Sequence, residues 1–282
     1  MVSRKKDYLP QSETEWLKTG SFRVETVAIG QKLIRCALAH SSSGNPIVTM
    51  IGGIPRDPIR QEKLPLINKL YGLLGLRLLE HSISSLLYNQ PGTGGSSGKW
   101  QEETLQSRSE TLVNLIKHFS ETISPMDVAL IGTSAGAYMA VSAIDRILNL
   151  GYKVSKLVLL SPAAYPEEIE IVPYGEEFTR LIRKPWDVAT SPIFPKLKKF
   201  VADGGSLLIS FFEADDPPIP LYIQEYYRNL MRELSNSGFH VRIMTIPGVA
   251  HNFRRIGVAE KKNVVDNESI RATANVLTEF LR

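Results

Sequence analysis

Eight short runs rich in Val, Ile and Leu alternate with stretches whose apolar residues recur every three or four positions. That rhythm implies a mainly parallel sheet covered by helices. FRVETVAIG and KLIRCALAH meet at Gly30–Gln31 and read as an opening pair of strands. PIVTMIGGIP, ISSLLYNQ, DVALIG, KLVLLS, SLLISFF and HVRIMTIP follow as further strands. Between them lie a leucine-rich helical stretch from about Leu64 to Leu79 and a stripe of Leu105, Leu112, Ile116 and Phe119. Ile223, Tyr227, Leu230 and Leu234 mark another helix ended by Gly238, and Ile270, Ala274, Leu277 and Leu281 mark the last. The expected fold class is α/β, a mostly parallel eight-stranded sheet flanked by helices.

Residues 163–195 break the rhythm. They are punctuated by prolines, show no clear period, and carry Tyr165, Tyr174, Phe178, Trp186 and Phe194. A stretch this long inside a compact domain reads as a lid or small subdomain. The expected organisation is a core of residues 1–162 and 196–282 with a cap at 163–195. Its aromatics either wall an acyl pocket or form a small core of their own.

A chain of 282 residues can bury a large core. The formal charge is +4, but the basic residues are scattered and do not alternate with aromatics as they would for nucleic acid. One cysteine, Cys36, sits in a strand-like run, so no intrachain disulfide is expected and a reducing, cytoplasmic setting fits. The first ten residues lack the apolar stretch of a secretory signal, and no run approaches the ~18 apolar residues of a membrane span. Monomer and homodimer are equally compatible with this size.

The most informative stretch is ALIGTSAGAY, residues 129–138, where Gly132-Thr133-Ser134-Ala135-Gly136 fits G-x-S-x-G between a strand and a helix. A sharp strand-to-helix turn nearly superimposes the residues two before and two after its apex, and glycine at both relieves the contact. The turn lifts the serine hydroxyl above the sheet edge and brings the Ala135 amide into the same space. PGTGGSSGKW does not make a phosphate loop: Thr93 stands where the first glycine is needed, and Trp100 follows Lys99 where a magnesium-binding hydroxyl is needed. A dinucleotide fingerprint fails at Ser97, and no Cys/His cluster has metal-ligand spacing.

With these features in hand, the chain resembles the α/β-hydrolase fold superfamily over nearly its whole length, the 163–195 insert excepted. LYNQPGTGGS (87–96) resembles the family's Asp-x-Pro-Gly-His-Gly-x-Ser segment, with Asn89 in place of Asp and Thr93 in place of His. Ser134 falls at the nucleophile position, with Thr133 replacing a frequent histidine. SFFEADDPPIP (210–220) resembles the strand end that carries the acid; the proline four residues on selects Asp216, followed by Pro220, with its neighbour Asp215 as competitor. IPGVAHNF (246–253) resembles the loop presenting the catalytic histidine, His251. The order Ser134, Asp216, His251 is the one this fold uses.

The resemblance implies a Ser-His-Asp triad, an acyl-enzyme intermediate, and a small-molecule carboxylic ester or thioester as substrate. It requires no cofactor and no metal. MIGGIPRDP (50–58) occupies the place of the second oxyanion donor, which by position is the Ile54 amide beside that of Ala135. The same residues would serve an acyltransferase or thioesterase of a biosynthetic pathway, and a non-catalytic ligand binder can retain the fold.

Overall fold

The computed structural model describes residues 12–41, 47–54, 64–123, 127–215, 218–251, 254–255 and 267–282. The strands are β1 (Arg23–Ile29), β2 (Lys32–Ala39), β3 (Ile47–Ile51), β4 (Ser84–Tyr88), β5 (Asp127–Thr133), β6 (Lys153–Leu160), β7 (Ser206–Ala214), β8 (Val241–Ala250) and the two-residue β9 (Arg254–Arg255). They form one sheet in the order β1-β2-β4-β3-β5-β6-β7-β8-β9. The eight expected strands are all present. From β4 to β8 every neighbouring pair is parallel, while β1–β2, β2–β4 and β8–β9 are antiparallel.

The helices are α1 (Glu13–Leu17), α2 (Lys69–Glu80), α3 (Leu105–Ile123), α4 (Ala135–Asn149), α5 (Glu176–Ile182), α6 (Ile193–Ala202), α7 (Leu221–Asn236) and α8 (Asn267–Leu281). α2 starts later than the leucine pattern suggests. Asn68 caps it, accepting a hydrogen bond from the Tyr71 amide at 2.8 Å, so residues 64–67 form its approach. Among the described residues no helix is long and apolar enough to cross a membrane.

Side chains alternate across each strand, and both faces of the sheet are buried. Leu157, Leu159, Leu207, Ile209 and Phe211 face one core, closed by Leu112 and Ile116 of α3, Tyr138 of α4 and Tyr227 of α7. Val158, Leu160, Leu208 and Phe212 face the other, closed by Trp16, Leu70, Leu74, Ala274 and Leu277. Cys36 is fully buried, and burial pushes its thiol up to about 12, so it packs rather than reacts.

Residues 163–195 contain single 3-10 turns at Glu167–Ile169 and Val188–Thr190, helix α5 and the start of α6. Tyr174 and Phe178 are buried in the same core as α3 and α4, so these aromatics extend the main core. Tyr174 stacks on Trp100, and the Arg108 guanidinium lies 4.6 Å from the Tyr174 ring centre.

The loop after β4 is internally braced. Ser96 Oγ donates to the Asn89 carbonyl, and Asn89 Nδ2 donates to the Gly94 carbonyl at 2.7 Å, a bond a carboxylate could not make. Its amides at Gly92, Thr93, Ser96 and Ser97 all donate to backbone carbonyls, which leaves none of those four for a phosphate.

Candidate active site

The order β4-β3-β5 makes the carboxyl ends of β3 and β5 a topological switch point, where a crevice opens in sheets of this kind. Ser134 stands at that crevice, between Thr133, the last residue of β5, and Ala135, the first of α4. Its φ of 55° and ψ of −123° lie in a region that non-glycine residues rarely adopt. The flanking glycines show why the chain tolerates it. A Cβ on Gly132 would lie 2.4 Å from Ala137 Cα, and one on Gly136 would lie 2.4 Å from the Ile51 carbonyl oxygen. Both clashes are with backbone, so no rotamer change relieves them. Gly136→Ala is expected to lower the unfolding free energy by about 3 kcal/mol, read as a lower urea midpoint.

Ile51 pairs with Gly132, so the chain leaving β3 runs directly beside the turn. A Cβ on Gly53 would sit 3.0 Å from Ser134 Cβ and 3.5 Å from its Oγ. The Gly52–Ile54 loop therefore borders the serine hydroxyl. α4 begins at Ala135, so its N-terminal amides open onto the same space. The Tyr71 hydroxyl bridges both sides, bonded to Thr133 Oγ1 and donating to the Ile51 carbonyl at 3.4 Å. Burial pushes Tyr71 up to about 12 despite its bond to Thr133, so it remains a neutral brace.

β7 and β8 supply the second half. Their last paired residues are Ala214 and Ala250, so the next residue on each strand, Asp215 and His251, meet across the gap. His251 Nδ1 lies 2.7 Å from Asp215 Oδ1. The histidine side chain is 14% exposed and the carboxylate 0%. The other carboxylate oxygen, Oδ2, accepts from the Phe212 amide at 2.8 Å and from Ser161 Oγ at 2.6 Å. With Oδ2 occupied by two donors, Oδ1 is left for the imidazole. Phe212 meets the imidazole ring edge-on, with centroids 6.0 Å apart.

The carboxylate that the structure places beside His251 belongs to Asp215, the competitor of the Asp216 favoured by proline spacing; Asp216 lies outside the described residues. Register explains the difference. Between Phe212 and Ala214 the β7–β8 pairing shifts, with Pro247, Gly248 and Val249 opposite Glu213 alone. Gly248 adopts φ +74° there, and its amide donates to Glu213 Oε2 at 2.6 Å. The bulge carries His251 to the level of Asp215.

Two contributors, Ser161 and Tyr71, are absent from the sequence pattern because they reach the site only through the fold. The sole local hint for Ser161 is a hydroxyl residue directly after a strand end.

No family model and no curated protein matches the sequence. Solved structures do match in shape. Est1E from Butyrivibrio proteoclasticus, solved with ferulic acid bound, superposes with a TM-score of 0.63 at 16% identity, covering 91% of this chain and 97% of that one. An α/β serine hydrolase homologue from Coxiella burnetii gives 0.57 at 17% identity, covering 92% and 97%. Dienelactone hydrolase from Anabaena variabilis gives 0.56 at 13% identity, covering 92% and 95%. Sheet order, elbow turn and these superpositions agree: the chain has the α/β-hydrolase fold.

Proposed function

We propose that the protein is a serine hydrolase that cleaves a carboxylic ester or thioester through Ser134, His251 and Asp215. The observation that carries the reading is the 2.7 Å contact of His251 Nδ1 with the buried Asp215 carboxylate, on the sheet edge that holds the strained serine. Asp215 fixes the tautomer with the proton on Nδ1, which leaves Nε2 as the base. Ser134 Oγ attacks the substrate carbonyl carbon as its proton passes to Nε2. The carbonyl π pair moves onto oxygen, where the Ala135 and Ile54 amides stabilise it; one such donor contributes about 3 kcal/mol to barrier lowering.

Collapse of the tetrahedral intermediate breaks the bond to the alcohol or thiol, which takes the proton from Nε2. Water then repeats the sequence on the acyl-enzyme and releases the acid. Segment 163–195 is the cap over this site. Support comes from Tyr165, whose ring centre lies 5.3 Å from that of Tyr138, one helical turn beyond Ser134. The bound ferulic acid of Est1E, itself a carboxylic acid, is in keeping with an acid product.

A panel of p-nitrophenyl esters and acyl thioesters of graded chain length tests the proposal. Saturable release of the leaving group, with one equivalent of acid formed, is expected for at least one chain length. Absence of turnover across the panel by correctly folded protein would overturn it.

A further inference from the structure

Among the described residues three non-glycine side chains carry a positive φ: Ser82, Ser134 and Ser161. Ser134 is the strained elbow. Ser161, at φ 46°, is fully buried at the exit of β6, where a strained backbone needs a compensating contact. Its amide donates to the Ser210 carbonyl at 2.6 Å and its hydroxyl to Asp215 Oδ2 at 2.6 Å. The residues on either side grip the other half of the site. The Leu160 carbonyl accepts from the Ser134 amide at 2.9 Å, and the Ala163 amide donates to the Ser134 carbonyl at 3.2 Å. Tyr227 of α7 holds the Ala163 carbonyl at 3.2 Å.

Four consecutive residues, Leu160 to Ala163, thus hold the serine turn with one set of bonds and the acid with another. We propose that this segment is a yoke that sets the position of the His251–Asp215 pair relative to Ser134, and that Ser161 is the positioning residue within it. The inference rests on the triad reading above and deepens it. A carboxylate with a single donor on Oδ2 can rotate about its Cβ–Cγ bond; the second donor fixes the plane in which Oδ1 meets Nδ1. The buried hydroxyl has a further consequence. Deleting it removes one of the two donors on Oδ2 and leaves the Phe212 amide, so the carboxylate keeps a partner while its plane is no longer fixed. Residue 163 also opens the insert, so whatever displaces the insert pulls on the same yoke.

Ser161→Ala removes the hydroxyl and keeps the Cβ. Ser161→Gly removes both and relaxes the positive φ. Each is compared with wild-type protein for kcat and KM on the best p-nitrophenyl ester, and for the downfield proton resonance of the His251 Nδ1–H···Asp215 bond. Both variants are expected to lose about tenfold in kcat with KM within twofold, and to broaden or shift that resonance. Restored activity in the glycine variant beside an impaired alanine variant would assign the effect to backbone strain and overturn the proposal. Wild-type kcat and an unshifted resonance in both would overturn it as well. A wild-type protein that turns over no ester at all is a different result, because it removes the triad reading on which the yoke depends.

Discussion

Ser134→Ala is expected to reduce ester turnover by at least ~10⁴-fold while leaving the protein folded. The size follows from the chemistry. In the proposed reaction the serine oxygen forms the covalent bond of the first step, and the Gly53 backbone runs directly beside that hydroxyl. On the proposed mechanism, the oxyanion donors and bound substrate would still supply the residual 10³–10⁴-fold acceleration that triad deletions typically retain over water. Stability should change little, because alanine keeps the Cβ and removes an oxygen that makes no cap hydrogen bond to the helix. The comparison needs kcat/KM from initial rates and a urea midpoint for both proteins. Wild-type turnover in the variant would place the nucleophile elsewhere.

The second large effect belongs to the acid. Asp215→Asn is expected to lower kcat by roughly 10³- to 10⁴-fold, because an amide at that place can offer its NH₂ to Nδ1 and select the wrong tautomer. The substitution also removes a charge that is fully buried, so the imidazolium formed during attack loses its counter-ion. Asp216→Asn should remain within about twofold of wild type, because Asp215 already holds His251 Nδ1. Parallel initial-rate measurements on the two variants decide the assignment. A larger loss at residue 216 than at 215 would return the acid to the position that proline spacing favoured.

The one-residue difference between those two aspartates shows where local sequence reading stops. Strands and helices are legible because burial imposes a period of two or of 3.6 on the residues themselves. Gly132 and Gly136 are legible because a Cβ at either would meet backbone, that of Ala137 for the first and that of Ile51 for the second, so only glycine fits. The Pro247–Gly248 pair ahead of His251 is visible in the sequence, but the structure makes it a bulge within β8 rather than a turn. The level at which β7 and β8 stop pairing is not legible, since it depends on a bulge formed between strands about 35 residues apart. Tyr71 and Ser161 are further cases. Tyr71 reaches Thr133 from 62 residues away and Ser161 reaches Asp215 from 54, so neither leaves a local motif.

The insert was harder still. Tyr165, Tyr174 and Phe178 show no period because they pack ring against ring and onto Tyr138 rather than along one helical stripe. Tyr165, Phe178 and Tyr174 form a continuous chain of ring contacts from α4 outward, with neighbouring centroids 5.8 and 4.9 Å apart.

The central claim is that the Ser134 hydroxyl is activated by the histidine–aspartate pair across the crevice. Intact-mass measurement after treatment with a fluorophosphonate, followed by peptide mapping, tests it most directly. The account predicts a single adduct on Ser134 in the folded wild-type protein. It predicts none in Ser134→Ala, none after denaturation, and much slower labelling in Asp215→Asn. A folded wild-type protein that never gains the adduct, or that gains it on another residue, would contradict the account.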